Sequence, residues 1–414
     1  MSNRYIYTFC VSRSTSRTLI WKLDHDHFFY DITKTSQQIQ QAFDDWASYT
    51  KLTFRQATAQ EKADFHLVFA YGNHSDEYPF DGRDGVLAHA FPLEHHHRGY
   101  VHFDSSEIWS DNSNIADNAR WIQKAVTVAG GHGEGNATNQ LNHPRGLFVD
   151  DDQTIIIADT DNHRIIQWKI NKTNGQVVAG GNGQGNRLDQ LDRPTDVLID
   201  KETYSLIICD RGNRRIVRWS RHSGATQREI LIDNVACRTL AMDDQKCLYI
   251  SDADKNEVRR YQIGDKNGTI VAGGYGKDDG LNQLNDPYFI FVDHQQVVYV
   301  SDKDNHAVMQ GKNGAKEGIV VAGGQGYGSA LAQLSYPYGL FVDTLATIYV
   351  SDSLNNRVVR WPKGAKQGTV IVGGNGYGEG ANQFKGPVGL SFDRHGNLYV
   401  VDHWNNRVQR FSIE

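Results

Sequence analysis

From residue 122 to residue 414, short runs of alternating apolar and polar residues recur in one fixed order. One run ends in a Gly-Gly pair, and the next three are of the types Pro-x-Gly-Leu-Phe-Val-Asp, Leu-Tyr-Val-Ser-Asp and Asn-x-Arg-Val-x-Arg-Trp. Such runs predict four short strands, and the Gly-Gly pairs recur about every 50 residues with one double-length gap. A further copy fills that gap, because 247–252 keeps the second strand type although its Gly-Gly pair is lost. The sequence therefore predicts a mainly β chain with a six-bladed β-propeller at 124–414.

The order of the strands also predicts how the ring of blades closes. The chain ends after a strand of the third type, at 407–412, and the repeats begin with a strand of the fourth type, at 125–129. If these two strands pair, one blade is completed from both ends and no sheet edge is left open.

The N-terminal part has a different pattern, which predicts a small α+β module. Alternating apolar residues predict strands at 18–23, 52–56 and 64–70. Apolar residues at helical spacing between 39 and 47 predict a helix, with Ser36 as its N-cap.

Composition adds constraints on partners and compartment. The formal charge of −6 provides no basic surface for nucleic acid, and the lack of any run of about 18 apolar residues predicts no membrane span. The first residues lack the charged-then-apolar pattern of a secretory signal, which by itself predicts a cytosolic start. The four cysteines are expected to be mostly buried small residues, with one disulfide possible if the protein is exported.

One stretch of the N-terminal part is rich in histidine and acidic residues. His74, Asp76, His89 and His102 provide three imidazoles and one carboxylate, which is a sufficient tetrahedral set for Zn²⁺. A site filled by four protein ligands leaves no position for water, so it would stabilise the fold and would not hydrolyse a substrate. The glycine-bent acidic loop 80–86 has the carboxylates and free carbonyls that suit Ca²⁺. The alternative is that these residues only populate polar loops.

The motifs of this stretch are specific enough to compare with a family. They read Phe69-Ala70-x-Gly72-x-His74-x-Asp76, Pro79-Phe80-Asp81-Gly82, Leu87-Ala88-His89-Ala90 and His102-Phe103-Asp104. Residues 16–110 thereby resemble the first two thirds of a matrixin catalytic domain, the metzincin fold of the matrix metalloproteinases. The resemblance implies a structural zinc bound by His74, Asp76, His89 and His102. It also implies calcium ligation by Asp81, Asp104 and Glu107, and through backbone carbonyls by Gly82, Asp84 and Val86.

The chain departs from that family at the residues that perform catalysis. Matrixins continue into a helix with H-E-x-x-H-x-x-G-x-x-H, whose histidines bind the catalytic zinc and whose glutamate activates water. No H-E-x-x-H occurs in the 414 residues, so the sequence predicts no catalytic residue. The expected organisation is an N-terminal extension at 1–15, the matrixin-like module at 16–110, a linker at 111–123 and the propeller at 124–414.

The propeller repeats carry a signature of their own, Asp-x-x-Asn-x-Arg-Val, between the second and third strands. Its four copies are Asp159, Asn162 and Arg164; Asp210, Asn213 and Arg215; Asp352, Asn355 and Arg357; and Asp402, Asn405 and Arg407. These copies resemble NHL repeats. A structural role is expected, because Asp and Asn bond turn amides and Arg returns across the hairpin to the carboxylate. The third and fourth repeats depart from the signature at Lys255, Glu257 and Ala307, so that part of the rim is the first candidate for a specialised surface.

The sequence is compatible with two functions. In the first, the propeller binds a protein or a small molecule at one face, and the matrixin-like module is a metal-stabilised appendage. In the second, the protein is a zinc metalloendopeptidase whose catalytic helix is missing from this version of the chain. An NHL-type enzyme or RNA-binding platform is a weaker alternative, because the net acidity counts against RNA. Both resembled families are commonly extracellular, which favours that compartment despite the missing signal.

Overall fold

The computed structural model describes residues 17–24, 36, 39–40, 43, 52–58, 60–70, 88–90, 100–104, 115, 119–150, 152–201, 203–221, 228–243, 245–265, 267–293, 295–312, 317–393 and 395–414. The chain divides into two compact units, Met1–Asp111 and Asn112–Glu414. None of the described helices has the length and hydropathy needed to cross a membrane.

The N-terminal unit contains a five-stranded sheet in the order β2-β1-β3-β5-β4. Its strands are β1 (Arg17–Asp24), β2 (Leu52–Gln56), β3 (Phe65–Ala70), β4 (Ala88–Ala90) and β5 (Tyr100–Asp104). β1 runs parallel to β2 and β3, β3 runs parallel to β5, and β4 is antiparallel to β5. The three strands predicted from the alternation are confirmed.

The predicted helix between β1 and β2 packs on this sheet. Ser36, Gln40 and Phe43 are α-helical. The ring of Phe43 stacks on that of Phe54 in β2 at 4.7 Å between centroids, and Trp21 Nε1 donates to Gln40 Oε1 at 3.0 Å. Ser36 was expected to cap the helix, but it is already helical and buried, whereas an N-cap residue has non-helical backbone angles.

The second unit is a six-bladed propeller of four-stranded antiparallel sheets, as predicted. Blade 1 consists of β7 (Leu147–Val149), β8 (Ile155–Asp159), β9 (Arg164–Trp168) and β10 (Gln176–Gly180), and blade 2 of β11 (Asp196–Asp200), β12 (Ser205–Asp210), β13 (Arg215–Ser220) and β14 (Arg228–Asp233). Blade 3 consists of β15 (Cys237–Met242), β16 (Leu248–Asp252), β17 (Glu257–Tyr261) and β18 (Thr269–Gly273), and blade 4 of β19 (Pro287–Val292), β20 (Val297–Asp302), β21 (Ala307–Lys312) and β22 (Ile319–Gly323). Blade 5 consists of β23 (Pro337–Val342), β24 (Ile348–Asp352), β25 (Arg357–Trp361) and β26 (Thr369–Gly373). Blade 6 consists of β27 (Pro387–Phe392), β28 (Leu398–Asp402), β29 (Arg407–Phe411) and β6 (Val126–Gly130).

Blade 6 is built from both ends of the propeller sequence. β29 pairs antiparallel with β6, and Arg407 lies opposite Gly130. The predicted closure is therefore confirmed, and it leaves no blade with an unpaired edge at the point where the ring begins and ends.

Apolar clusters between neighbouring blades form the core. Every residue of the second strand is buried in all six blades, namely in β8, β12, β16, β20, β24 and β28. One cluster joins Ile156 of blade 1 to Leu206 of blade 2. Because each blade buries its faces only against its two neighbours, the closed ring protects every face from water.

Residues before β6 extend this core. Trp121 is 1% exposed, lies in the cluster between blades 5 and 6, and donates from Nε1 to the carbonyl oxygen of Gly396 at 2.9 Å. Ile115 is buried in the same cluster. The stretch 111–123, which was expected to be a linker, thus contains residues that pack as part of the propeller.

Glycine-rich loops connect the fourth strand of one blade to the first strand of the next. At Gly130, φ is +66° and a Cβ would lie 2.3 Å from the carbonyl oxygen of Asn406, so only glycine fits. The junction between blades 2 and 3 differs, because β14 ends at Asp233 and β15 already begins at Cys237. The loops and the turns between second and third strands lie at one end of the ring, the loop end.

Candidate functional site

In the N-terminal unit, two of the four expected zinc ligands lie on described backbone. β4 and β5 pair in a register that places His89 opposite His102. Positions directly opposite each other on antiparallel strands share one face of the sheet. His74 and Asp76 lie outside the described residues, so the register of β4 and β5 gives the positions of only two of the four expected zinc ligands.

Of the six expected calcium ligands, only Asp104 lies within the described residues. Asp104 ends β5, opposite Ala70 of β3. The remaining five, Asp81, Gly82, Asp84, Val86 and Glu107, lie outside the described residues. Within the described ranges, no group of three or more His, Cys, Asp or Glu residues is arranged to hold a metal ion.

In the propeller, the Asp-Asn-Arg signature ties four of the glycine-rich loops to the hairpins beside them. In blade 1, Asp159 Oδ2 accepts hydrogen bonds from Asn162 Nδ2 at 2.8 Å and from Arg164 Nε at 2.7 Å. Asp159 Oδ1 accepts one from the backbone N–H of Asn142 at 2.7 Å. Arg164 also donates to three loop carbonyls, those of Asn136, Ala137 and Gln140. We call this arrangement the arginine clamp.

Blades 2, 5 and 6 have the same clamp. The distance from arginine Nε to aspartate Oδ2 is 2.7 Å for Arg215–Asp210, 2.7 Å for Arg357–Asp352 and 2.8 Å for Arg407–Asp402. In each pair the aspartate side chain is fully buried. Repetition of one fully bonded geometry in four blades is typical of a structural tie, and it leaves these side chains little free capacity for a ligand.

Blade 3 lacks both the loop and the clamp. Glu257 takes the arginine position and pairs with Arg259. Asp252 Oδ1 accepts from the backbone N–H of Asp254 at 3.2 Å, while its Oδ2 is buried without a hydrogen-bond partner among the described residues. Lys255 Nζ lies 3.7 Å from that oxygen. Since no loop crosses this blade, an arginine would have no loop carbonyls to bind.

Blade 4 keeps its loop but lacks the arginine. Asp302 accepts from the backbone N–H of Asn285 at 2.6 Å and from Asn305 Nδ2 at 2.7 Å. Ala307 lies opposite Asp302 in the pairing of β20 and β21, at the position that arginine occupies in blade 5. Burial raises the pKa of Asp302 to about 7, and the carboxylate of Asp304 adds to the shift.

A different set of equivalent positions varies among the blades. The second residue of the segment that opens each blade is, in order, Arg145, Thr195, Arg238, Tyr288, Tyr338 and Val388. Arg145 Nη1 donates to the hydroxyl of Tyr288, although blades 1 and 4 lie on opposite sides of the ring. Tyr288 packs edge-on against Tyr338 at 4.5 Å, and the Arg238 guanidinium lies 5.1 Å from the Tyr288 ring centroid. These cross-ring contacts place the variable positions around the central channel at the loop end, which we call the channel mouth.

Cations from four blades converge at the channel mouth. Arg238 Nη2 lies 3.1 Å from Asp286 Oδ1, and Lys303 Nζ donates to Asp286 Oδ2. Lys303 Nζ also lies 3.1 Å from Asp304 Oδ1. In the described part of the chain, the other two cations form no ion pair with a carboxylate. Together the four are the cation cluster: Arg145, Arg211, Arg238 and Lys303.

Arg211 is the least satisfied member of the cluster. Its Nε is buried and has no hydrogen-bond partner within the ranges that the structure describes, as is also true of Arg238, but Arg238 has the ion pair with Asp286 that Arg211 lacks there. Burial lowers the pKa of Arg211, and the charges of Arg238 and Arg145 lower it further. A guanidinium nevertheless stays protonated in proteins. Arg211 is therefore a permanent charge that faces like charges.

Neutral donors complete the channel mouth. His403 Nδ1 lies 2.8 Å from the carbonyl oxygen of Pro144, and burial together with the charge of Arg145 lowers the pKa of His403 to about 4. Its imidazole is thus uncharged at neutral pH. Burial raises the pKa of the Tyr338 hydroxyl, which stays protonated. The channel mouth offers N–H and O–H donors and a net positive charge.

A disulfide lies next to the cation cluster. Cys209 at the end of β12 is bonded to Cys237 at the start of β15, which joins blades 2 and 3. Arg211 and Arg238 follow these two cysteines closely in sequence. Cys247 is a buried free thiol, and Cys10 lies outside the described residues. The sequence allowed one disulfide and did not identify its partners.

The cation cluster was missed in the sequence because its members are scattered over four repeats. The signal that could have found them is the contrast between columns of the repeat alignment. The clamp columns keep one residue type in four blades. Two other columns change from blade to blade: the column of Arg145, Arg238 and Tyr288, and the column directly after the second-strand aspartate, which contains Arg211, Lys303 and His403. In a ring built from repeats, such a column marks positions that the fold itself does not fix.

Two family models match parts of the chain. Residues 13–167 match the family model described as Matrixin, and residues 384–411 match that of the NHL repeat. The chain thus contains a segment that matches the matrixin model, and the NHL match lies in blade 6 of the propeller. The matrixin match extends over β6, β7 and β8, which are propeller strands in this structure.

Individual relatives cover only part of the chain. Karilysin from Tannerella forsythia is 34% identical over 114 residues, which are 27% of this chain and 24% of karilysin. Human matrix metalloproteinase-16 is 32% identical over 166 residues, which are 35% of this chain and 25% of that protein. The chain thus spans about a quarter of the length of these curated relatives.

Solved structures match the propeller fold. An auxiliary nutrient binding protein from Bacteroides thetaiotaomicron has a TM-score of 0.55 and 14% identity, covering 77% of this chain and 80% of that chain. At this identity the likeness shows the fold alone, so the channel mouth has to be interpreted from its own residues.

Proposed function

We propose that this protein is a binding protein whose propeller recognises a protein or small-molecule ligand at the loop end, and that its matrixin segment is a metal-stabilised, non-catalytic module. The observation that carries the proposal is the channel mouth, where residues of four blades meet at positions that the repeat leaves free. The clamp residues are already engaged in hydrogen bonds within the fold, which leaves the variable positions available to a ligand.

The test is a ligand screen on the full chain that includes neutral, cationic and anionic small molecules and peptides. Binding is followed as an increase of the melting temperature and confirmed by calorimetry. Tyr338→Ala removes a ring at the channel mouth, and Tyr204→Ala removes one from the turn between β11 and β12 at the opposite end. Hits that lose affinity in the first variant and keep it in the second support the proposal. The proposal would be overturned if the screen gave no hit, or if the hits bound Tyr338→Ala with the same affinity as the wild type.

The metal part of the proposal concerns the matrixin segment. We assign one structural zinc to His74, Asp76, His89 and His102, supported by the paired positions of His89 and His102. Imidazole and carboxylate ligands suit zinc, and a complete set of four protein ligands gives it a role in folding. Calcium would be held by carboxylates and loop carbonyls that include Asp104.

Native mass spectrometry of the full chain measures the zinc stoichiometry. We expect one zinc in the wild type, none in His102→Ala, and one in the control His132→Ala, which removes an exposed histidine of a propeller loop. A zinc-free wild type would refute the structural site. A second zinc would instead point to a catalytic metal.

The alternative function is that of a zinc metalloendopeptidase, favoured by the matrixin match to residues 13–167. The absence of H-E-x-x-H from the sequence argues against it, because that motif supplies two zinc ligands and the general base. A transcript read across 109–121 separates the two functions, since a skipped H-E-x-x-H segment would restore the protease. The disulfide between Cys209 and Cys237 favours an oxidising compartment for either function.

A further inference from the structure

We propose that the cation cluster binds an oxyanion group, a carboxylate or a phosphate, of a small molecule. The inference rests on the proposed binding function and names the class of ligand. It starts from a charge imbalance: Arg238 and Lys303 share Asp286, whereas Arg145 and Arg211 have no carboxylate partner in the described part of the chain.

The clamp arginines show which hydrogen bonds a structural arginine forms in this propeller. Each clamp arginine donates Nε to a buried aspartate and its other N–H groups to loop carbonyls. Arg211 has neither, and its buried Nε is without an acceptor among the residues described, a condition that it shares with the Nε atoms of six other arginines there. Arg211 is distinguished by its position, because it lacks a carboxylate partner in the described part of the chain while it faces the charges of Arg238 and Arg145. Leaving a buried charged donor unsatisfied is costly, so an acceptor from outside the chain is the simplest explanation for its retention.

The chemistry of the cluster favours an oxyanion over other acceptors. A guanidinium presents a planar fork of N–H groups that matches the two oxygens of a carboxylate or phosphate. Arg145 already donates one N–H to the Tyr288 hydroxyl, which fixes the orientation of its guanidinium. The neutral donors at the channel mouth add hydrogen bonds without adding negative charge that would repel the ligand.

Position in the fold adds a second argument. Arg211 lies in the turn after β12 and Arg238 in β15, and the disulfide joins these two strands directly. Both guanidinium groups therefore project from a cross-linked part of the ring. Residues held in this way lose little conformational entropy when a ligand binds.

The experiment compares anions on the full chain at constant ionic strength. Inorganic phosphate and citrate are the probes, and glycerol is the uncharged reference. Melting temperature and calorimetry are measured for the wild type, for Arg211→Gln and for Arg187→Gln. Arg187 is an exposed loop arginine paired with Asp189, so its replacement removes the same charge away from the channel.

We expect phosphate, citrate or both to bind the wild type and glycerol not to bind. Arg211→Gln should weaken binding about 30-fold or more, which corresponds to about 2 kcal/mol for a buried charged contact. Arg187→Gln should leave it within about twofold, because an exposed charge contributes little. The affinity of Arg211→Lys for the anion should lie between those of these two variants, since lysine keeps the charge but lacks the planar guanidinium that binds two oxygens at once. Without anion, Arg211→Gln should melt no earlier than the wild type.

Three results would overturn the oxyanion site. They are no binding of either anion, equal weakening in Arg211→Gln and Arg187→Gln, and unchanged binding in Arg211→Gln. Stronger binding of phosphate indicates a phosphorylated ligand, and stronger binding of citrate indicates an organic acid. If neutral hits from the ligand screen bind through Tyr338 while both anions fail, the binding function stands and the oxyanion inference falls. If the screen gives no hit either, both fail.

Discussion

Blades 1, 2, 5 and 6 differ from blades 3 and 4 in one residue of the third strand. The first group has an arginine that holds the glycine-rich loop to a buried aspartate, as Arg357 holds Asp352 at 2.7 Å. Blade 3 has Glu257 and no loop, and blade 4 has its loop but Ala307 in place of the arginine. The comparison indicates that the arginine is dispensable for the blade, because all six blades keep the same four strands. The loop also persists without it in blade 4, where Asp302 still accepts from the backbone N–H of Asn285.

The blades without the clamp also contribute most to the channel mouth. Arg238 comes from blade 3, and Asp286, Tyr288 and Lys303 come from blade 4 or the loop before it. The sequence named the third and fourth repeats as candidates for a specialised surface through Lys255, Glu257 and Ala307, and that stays a prediction, because the residues at the channel mouth are others. The four predictions that follow test how much the clamp, the disulfide and Asp302, which lacks a clamp arginine, contribute to the difference in stability between the blades with the clamp and those without it.

The largest effect should come from giving blade 5 the composition of blade 4. We predict that Arg357→Ala lowers the free energy of unfolding by about 3–5 kcal/mol, because it leaves the buried Asp352 carboxylate without its cation. Urea unfolding measures the loss. Arg187→Ala is the control, expected within about 0.5 kcal/mol since its ion pair is exposed. Equal losses in the two variants would contradict the role of the clamp.

The second effect concerns the junction of blades 2 and 3, where the disulfide is present and the loop is absent. We predict that reducing Cys209–Cys237, which are 28 residues apart, lowers the free energy of unfolding by about 3–4 kcal/mol. Urea unfolding with and without reductant measures it. The double variant Cys209→Ala/Cys237→Ala should not respond to reductant, and a response there would assign the effect to another thiol.

The third prediction restores the clamp in blade 4. Ala307→Arg should raise the free energy of unfolding at pH 8 by about 1 kcal/mol, because it places the clamp arginine of the other blades beside the buried carboxylate of Asp302. Ala307→Gln has a long side chain without charge and serves as the control. A gain that is equal in both variants would show that side-chain length, and not the ion pair, is responsible.

The last prediction concerns the dependence of stability on pH. The pKa of Asp302 is about 7 in the folded protein and near 3.8 when unfolded, so the folded state holds a proton that the unfolded state releases between these values. Stability should therefore fall as pH rises from about 4 to about 7, by at most about 1.4 kcal/mol per pH unit, and level off above. Asp196, whose pKa burial also raises to about 7, contributes with the same sign.

Comparing the wild type with Ala307→Arg isolates the contribution of Asp302. An arginine beside Asp302 stabilises the carboxylate and lowers its pKa, so the variant should lose less stability between pH 5 and pH 8. Unfolding free energies at a series of pH values provide the measurement. Parallel curves for the two proteins would mean that Asp302 does not titrate in this range.

The sequence by itself determined the architecture of the propeller. Repeated strand types gave the number of blades, and the strand order gave the pairing of β29 with β6. This was possible because each blade is a local unit whose strands are neighbours in sequence. The return of the signature arginine to the carboxylate across the hairpin was also predicted, and Arg164 donates to Asp159 in blade 1. The expected bonds to turn amides are replaced by others, because Asp159 accepts from the loop amide of Asn142 and Asn162 donates to Asp159 and to the Gly135 carbonyl.

Only the tertiary structure decided which side chains meet at the channel mouth. Arg145 and Tyr288 are 143 residues apart and come together only because the ring closes. The pairing of Cys209 with Cys237, and the burial of Trp121 against blades 5 and 6, likewise depend on how separate blades pack. Hydrophobic periodicity reports on one strand and its hairpin neighbours, whereas a central site is formed by contacts between blades that no local pattern encodes.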